Sequence, residues 1–268
     1  MFILHASNPV MTLLLAFSTV VGSVAAGASY RFGLPRSDSP AMRWVGLLAL
    51  ASIWLVFIPI NVWSILVHQP VVWLVGSETI DGGLAENLTI IFYGSAIVCA
   101  LLNLRSPARL FGAKSAPLWR IILMLVVLGS IIMIGEEVSW GQHWLGFATP
   151  DQLNKINLQH EANVHNLVSP RLYDEIYQAL GWGLILGPVW AQFWAGRWQI
   201  FSVVRCLQAC FASPVTYGLM VSAGILLQHE AFEELSEMVL AMSVFQILLM
   251  LLSRSPPAKG WTEPECPA

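Results

Sequence analysis

Two groups of acidic residues, each at the end of a strongly apolar segment, offer the chemistry that this sequence could perform. The first group follows Gly135, where Glu136 and Glu137 precede Ser139, Trp140 and His143. The second group opens the last apolar segment, with glutamates at Glu230, Glu233, Glu234 and Glu237. Between the two groups lies a polar stretch that contains Glu161 and His165. Carboxylates and imidazoles of this kind bind metals or move protons.

The spacing of these residues predicts shared helix faces. Residues three, four and seven apart lie on one face of a helix. Glu136, Ser139 or Trp140, and His143 therefore form one stripe if the helix continues past Gly135. Glu161 and His165 are four apart, and the glutamates from position 230 to 237 form a stripe that runs into the apolar segment.

Carboxylates and imidazoles on facing helices are how helical bundles build metal sites. We therefore predict a site for a divalent metal, iron, manganese or zinc. Its predicted ligands come from the three groups: Glu136, Glu161, His165, Glu230, Glu233, Glu234 and Glu237. Acid–base or positioning roles are predicted for three further residues: Glu137, Ser139 and His143.

A simpler interpretation of the second acidic group needs no metal. The helix dipole favours acidic residues in a first helical turn, so Glu230, Glu233 and Glu234 are also compatible with an ordinary interfacial helix start. The same explanation is weaker for Glu237, which lies a turn deeper, and for Glu136 and Glu137, which lie at a helix C-terminus, where the dipole disfavours negative charge.

The composition indicates which elements position these groups. Of 268 residues, 56% are hydrophobic and only 11% are charged, against roughly 25% charged in soluble domains. Apolar runs long enough to cross a bilayer recur along the chain. We predict an all-α, polytopic membrane helix bundle in one domain, residues 1–253, and a disordered cytoplasmic tail, residues 254–268. About seven transmembrane helices are expected, near 10–26, 44–66, 87–104, 118–135, 173–195, 214–228 and 231–252.

The basic residues predict the orientation of these segments. Eleven of the thirteen Lys and Arg residues fall on one set of alternating loops or in the C-terminal tail, and only Lys155 and Arg171 fall on the other set. Because cytoplasmic loops carry the excess of basic residues, the N-terminus is expected outside and the C-terminus in the cytoplasm. Both acidic groups then face the periplasm or exterior of a bacterial inner membrane.

The segments EEVSWGQ and NLQHEANVHNL, starting at Glu136 and Asn157, resemble a group of uncharacterised bacterial multi-pass membrane proteins. A weaker resemblance is to the membrane hydrolase superfamily of alkaline ceramidases and progestin/adipoQ receptors. That superfamily has seven spans and a Ser-x-x-x-His element, matched here by Ser139 and His143. It also needs an Asp and a His pair in the last span, where this chain has glutamates.

The sequence therefore predicts an integral-membrane, metal-dependent enzyme of the hydrolase or oxygenase type that acts on a lipid-like substrate. The alternatives are a cation- or proton-coupled transporter and a non-catalytic subunit that docks a partner through its acidic face. Membrane lipid is the expected surrounding partner. The sequence has no Gly-rich phosphate motif and no basic cluster, so no nucleic-acid binding is predicted.

Overall fold

The structure, a computed structural model, describes residues 16–22, 40–67, 71–75, 83–105, 116–155, 170–195 and 214–253. Within these ranges the chain forms helices and no strands, which confirms the predicted all-α class. We number the α-helices in chain order: α1 (16–22), α2 (Pro40–Ser52), α3 (Ile58–Val67), α4 (Val72–Val75), α5 (Leu84–Leu104), α6 (Ala116–Glu137), α7 (Gln142–Leu145), α8 (Asp151–Asn154), α9 (Pro170–Ala195), α10 (Pro214–Leu226) and α11 (Glu233–Ser253). The predicted tail, residues 254–268, lies outside the described residues.

Among the described residues, four helical stretches are long and apolar enough to cross a membrane: Arg43–Trp63, Leu84–Leu104, Ala116–Glu137 and Glu233–Ser253. The predicted count of seven spans stays a prediction. At 1.5 Å per residue, 21 residues span about 32 Å, the thickness of a hydrocarbon core. The outer face of α6 is apolar and exposed, as at Leu125 and Leu128. These features are those of a membrane protein, because lipid replaces water around such a face.

A proline distorts the second apolar segment. Pro59 has no backbone N–H and cannot complete the α-helical bond to Leu55. Shortly before the proline, Ile53–Phe57 forms a π-helical turn that links α2 to α3. In this turn the Ile58 N–H donates to the Ile53 carbonyl. The wider turn lets one continuous segment pass the proline.

The bundle is centred on α11. This helix packs against α5 and α10; α6 packs against α5, and α9 and α2 pack against α10. Near the end of the bundle that holds the start of α11, Leu235 and Met238 pack with Ala85 and Leu219. Towards the other end, Leu248 packs with Ala96 and Trp119. Helix α11 therefore touches helices that are far apart in sequence and fixes their relative positions.

Polar side chains add hydrogen bonds between helices. Asn103 Nδ2 of α5 donates to the Leu248 carbonyl of α11 (3.1 Å). Asn61 Nδ2 of α3 donates to the Ala231 carbonyl (2.8 Å), just before α11. The Tyr217 hydroxyl of α10 donates to the Ile185 carbonyl of α9 (2.9 Å). In a bilayer such bonds connect helices that apolar packing alone holds weakly.

Helices α9 and α10 approach each other closely at two glycines. A Cβ at Gly181 would lie 2.6 Å from the Gly224 carbonyl oxygen and 2.2 Å from Gln228 Nε2. A Cβ at Gly224 would lie 2.5 Å from the Gly181 carbonyl oxygen. Only glycine permits this contact, which is typical of small-residue packing between membrane helices.

We expect Gly181→Ala to destabilise the detergent-solubilised protein by about 1–3 kcal/mol, because α9 and α10 must move apart. Gly183→Ala is the matched control, since a Cβ there meets nothing within 4 Å. The control should be neutral or slightly stabilising, because alanine favours the helix. Thermal unfolding followed by tryptophan fluorescence measures both. Equal midpoints for the two variants would contradict the proposed contact.

Candidate functional site

Three glutamates come together at one end of the bundle. Glu137 is the last residue of α6, and Glu234 and Glu237 lie in the first turns of α11. One carboxylate oxygen from each lies within 4.8 Å of the others. We call these residues the glutamate cluster. Among the described residues no other set of three acidic, histidine or cysteine side chains comes this close.

A chain of hydroxyl groups leads from α9 to the glutamate cluster. The Tyr173 hydroxyl donates to the Tyr177 hydroxyl, which in turn donates to Glu237 Oε1. The two tyrosines are one helical turn apart, and their ring centroids are 4.2 Å apart. The bond from Tyr177 holds the Glu237 carboxylate in one orientation, as outer hydrogen bonds hold metal ligands.

The surroundings of the glutamate cluster add negative rather than positive charge. Glu86 of α5 lies close enough to interact electrostatically with Glu137 and Glu234. Tyr93, which is buried on the same face of α5 about two turns further along, lies near Glu137 and Glu237. In the described part of the chain, no Lys or Arg pairs with the three clustered glutamates. Three carboxylates therefore face each other and need protons or a cation to neutralise them.

The end of α6 is shaped by a tryptophan that folds back. Trp140 Nε1 donates to Glu136 Oε1 (2.8 Å), and its ring lies over Gly135, where a Cβ would be 2.9 Å from a ring carbon. Ser139 and Trp140 both have left-handed backbones, with φ of 44° and 53°. Such backbone strain in non-glycine residues is concentrated at functional sites. The left-handed turn at these two residues follows the end of α6 at Glu137.

This turn changes the predicted stripe of Glu136, Ser139 or Trp140, and His143. The stripe required a continuous helix, but α6 ends at Glu137 and the left-handed residues redirect the chain. Glu136 is bonded to Trp140, and its neighbour Glu137 enters the cluster instead. Ser139 is buried, with 3% of its surface exposed, and His143 lies in the short helix α7.

The other predicted site residues divide between three places. Glu234 and Glu237 belong to the glutamate cluster, as described above. Glu233 lies one helical turn before Glu237 but lines a separate cleft. Glu230 begins a 3₁₀ turn, Glu230–Phe232, just before α11. Glu161 and His165 lie outside the described residues, so their predicted roles stay predictions.

The segment after Glu137 exposes large apolar side chains. Trp140 is 46% exposed, Leu145 76% and Phe147 39%. These residues directly follow a helix whose outer face is apolar. Aromatic and apolar groups at the end of a membrane helix are typical of the membrane–water boundary. The end of α6 next to the glutamate cluster therefore carries exposed aromatic and apolar side chains.

A cleft next to the cluster contains residues that the sequence interpretation did not assign. It lies between α9 and the turn that connects α10 to α11, and its lining residues are Asp174, Tyr177, Gln178, Leu227, Gln228, His229 and Glu233. The spacing of Tyr173 and Tyr177, four apart at the start of α9, could have indicated a polar face. The sequence does not predict that this face meets Glu237, because the bond from Tyr177 to Glu237 depends on how α9 packs against α10.

His229 shapes the start of α11 and is 5% exposed. Its Nδ1 accepts a hydrogen bond from the Ala231 N–H (3.1 Å), so it caps the turn as a short polar side chain would. Burial lowers the pKa of the His229 imidazole from its ordinary value. Protonation would both charge a buried ring and remove the acceptor, so the folded protein favours the neutral form.

We expect the stability of the protein to fall as the pH drops below about 6.5, the ordinary pKa of histidine. The unfolded chain binds this proton more readily than the folded chain, so acid favours unfolding. His229→Asn keeps a capping oxygen and removes the titrating ring. Thermal midpoints from about pH 7.5 to about pH 5 should fall less in the variant, because it lacks the titrating ring. Asp174 and Glu233 remain in both proteins and contribute equally to the two profiles. Identical pH profiles would rule out this role for His229.

None of the protein-family models, curated proteins and solved structures compared with the chain matches it.

Proposed function

We propose that this chain is an integral-membrane, metal-dependent enzyme whose metal site is the glutamate cluster. The observation that carries the proposal is the convergence of Glu137, Glu234 and Glu237, whose ligand oxygens lie within 4.8 Å of one another. Three carboxylates at this separation in an apolar bundle repel each other strongly unless a cation or protons neutralise them. A divalent cation neutralises them and is held by all three.

The dimensions of the cluster suit such an ion. A point between three oxygens that are at most 4.8 Å apart lies no more than about 2.8 Å from each, against about 2.0–2.2 Å in Mg²⁺ and Zn²⁺ sites. A shift of each oxygen towards this point by less than about an ångström would bring all three to metal–ligand distances. The three oxygens are hard ligands, which favour manganese or ferrous iron over zinc. Glu161 and His165 remain the predicted residues that complete the ligand set.

A cation in this position activates bound water or polarises a carbonyl or phosphoryl oxygen. Tyr177 orients Glu237 through its hydroxyl bond. Ser139 follows Glu137 by two residues and is buried at the same junction, and His143 lies one short turn further on. We assign these two residues the acid–base or positioning roles of the proposed reaction, which is hydrolysis or, with iron, oxygen activation.

A lipid-like substrate fits the position of the cluster. Trp140, Leu145 and Phe147 expose apolar surface next to Glu137, so a substrate embedded in the bilayer can reach the site from the side. We further propose seven spans, with the N-terminus outside and the C-terminus cytoplasmic, in the bacterial inner membrane. The end of α6 and the start of α11 then both face the periplasm, as the distribution of basic residues predicts.

We expect the purified protein, loaded with Mn²⁺ and washed, to carry close to one metal ion per chain. Glu137→Gln should lower the affinity at least about tenfold, because it removes one of three ligands. Glu136→Gln is the matched control, since that carboxylate bonds to Trp140. Inductively coupled plasma mass spectrometry, after equilibration with a graded series of chelator concentrations, measures the affinity of each protein.

Two results of this experiment would contradict the proposal: wild-type protein that stays metal-free after loading, or equal loss of metal from the two variants. A Glu161→Ala/His165→Ala variant tests the predicted completion of the ligand set. Its weaker binding would add those residues to the site, whereas unchanged binding would leave the three glutamates as the protein ligands.

The hydroxyl chain favours a second candidate function, proton-coupled transport. Tyr173, Tyr177 and Glu237 form connected hydrogen bonds, and a carboxylate oxygen of Glu137 lies within 4.8 Å of one from Glu237. Such chains of carboxyls and hydroxyls are typical of proton relays in membranes. Beyond Glu237, however, α11 has no ionisable residue, and α6 has none between Arg120 and Glu136. A path across the bundle is therefore less supported than a site at one end.

We expect liposomes that contain the wild-type protein to take up protons no faster than protein-free liposomes, as measured with an enclosed pH-sensitive dye. Transport would instead give protein-dependent uptake that Tyr177→Phe slows at least about tenfold, because the relay needs the hydroxyl. Tyr217→Phe is the control, since Tyr217 bonds to a backbone carbonyl outside the chain of hydroxyls. Such uptake, sensitive only to Tyr177, would replace the enzyme proposal.

A non-catalytic subunit that docks a partner through its acidic face is the third hypothesis. It predicts that Glu137→Gln leaves metal content unchanged and weakens only complex formation. The metal measurement above therefore separates it from the enzyme proposal.

A further inference from the structure

A third tyrosine lies beside the glutamate cluster and is not part of the hydroxyl chain. Tyr93 belongs to α5 and lies close enough to interact electrostatically with Glu137 of α6 and Glu237 of α11. Its side chain is only 5% exposed. Because α5 packs against both α6 and α11, the phenol ring is buried where these three helices meet.

The register of α5 determines the side from which Tyr93 approaches the cluster. Glu86 lies level with the cluster, since it interacts with Glu137 and Glu234. Tyr93 follows Glu86 by seven residues, so it shares the same helix face and lies about 10 Å deeper in the bundle. Long side chains in a helix point back towards its N-terminus, which for Tyr93 is the end that holds the cluster. The phenol therefore approaches the carboxylates from the interior of the bundle.

The Tyr93 hydroxyl has no hydrogen-bond partner among the described residues. The other two tyrosines differ in this respect, because Tyr173 donates to Tyr177 and Tyr177 donates to Glu237. Native proteins rarely leave a buried hydroxyl unpaired. A group bound at the glutamate cluster is therefore the expected partner of Tyr93.

The chemistry of the cluster indicates that this partner is an oxygen atom. A divalent cation such as Mn²⁺ prefers about six ligands in an octahedral arrangement. The three glutamates leave positions open on such an ion, and at least one remains even if Glu161 and His165 also bind. An oxygen atom from outside the protein fills such a position, and a phenol O–H donates to it.

We propose that Tyr93 contacts the substrate of the proposed metal site, with its hydroxyl donating to a carbonyl or phosphoryl oxygen bound at the glutamate cluster. The role assigned to Tyr93 rests on the proposed function and adds the class of substrate group that the site recognises. A hydroxyl that bonded directly to Glu137 or Glu237 would instead position a metal ligand. Two experiments distinguish these roles.

The first experiment measures the binding of acetohydroxamate, a small oxygen ligand, to the detergent-purified chain loaded with Mn²⁺. Tyr93→Phe removes only the hydroxyl. The affinity for Mn²⁺ should change by no more than about twofold, whereas the dissociation constant for acetohydroxamate should rise about ten- to a hundredfold. Electron paramagnetic resonance of the bound Mn²⁺ follows both titrations. Tyr217→Phe is the matched control, since its buried hydroxyl bonds to the Ile185 carbonyl, and both constants should stay unchanged.

The second experiment measures thermal unfolding of the metal-free proteins. Tyr217→Phe loses a hydrogen bond within the protein, so its unfolding midpoint should fall. Tyr93→Phe loses no such bond, so its midpoint should stay the same or rise. An equal fall in the two variants would show that the Tyr93 hydroxyl is paired within the protein, which overturns its assignment to the substrate.

The outcomes separate the role of Tyr93 from the metal site itself. Wild-type protein that binds no Mn²⁺ would overturn the metal site and the role of Tyr93 together. If the wild type binds Mn²⁺ but no acetohydroxamate, or if Tyr93→Phe binds acetohydroxamate as tightly as the wild type, the metal site stands and the role of Tyr93 is overturned. Equal weakening of Mn²⁺ and acetohydroxamate binding would also overturn it, because Tyr93 would then act on the glutamates.

Discussion

The mutual repulsion of three carboxylates is the constraint around which the described structure is built. Glu137, Glu234 and Glu237 place ligand oxygens within 4.8 Å of one another. At this separation each pair of negative charges costs about 3–4 kcal/mol if the effective dielectric constant is near 20. Such a cost is comparable to a large part of the stability of a domain. The arrangement persists only if a cation or shared protons neutralise it.

The packing of the bundle supplies the force that holds the carboxylates together. Helix α11 is fixed against α5 by a shared apolar core and by the bond from Asn103 to the Leu248 carbonyl. Helix α6 is fixed against α5 in turn. The close contact between Gly181 of α9 and Gly224 of α10 brings α9 near enough for Tyr177 to bond to Glu237 of α11. The same contact orients the amide of Gln228, so one glycine pair supports both the glutamate cluster and the cleft.

The all-α class and the apolar membrane-length helices were predictable from the sequence, whereas the partners within the site were not. Apolar runs predicted the helices near Asn87–Leu104 and Leu118–Gly135, because membrane length and hydropathy are local properties. The choice between Glu136 and Glu137 was not predictable, because it depends on which face of α6 packs towards the start of α11. Tyr177 and Gln228 were missed because their positions at the site depend on how α9 packs against α10, which the sequence pattern does not give.

The central claim is that the glutamate cluster exchanges its protons for one divalent cation, and proton release during metal binding tests it most directly. Mn²⁺ is titrated into weakly buffered, detergent-purified protein while the pH and the heat are recorded. Because the carboxylates need protons when no cation is present, the account predicts saturable binding of one ion that releases at least one proton per ion. Mn²⁺ binding without proton release, or no saturable binding at all, would contradict it.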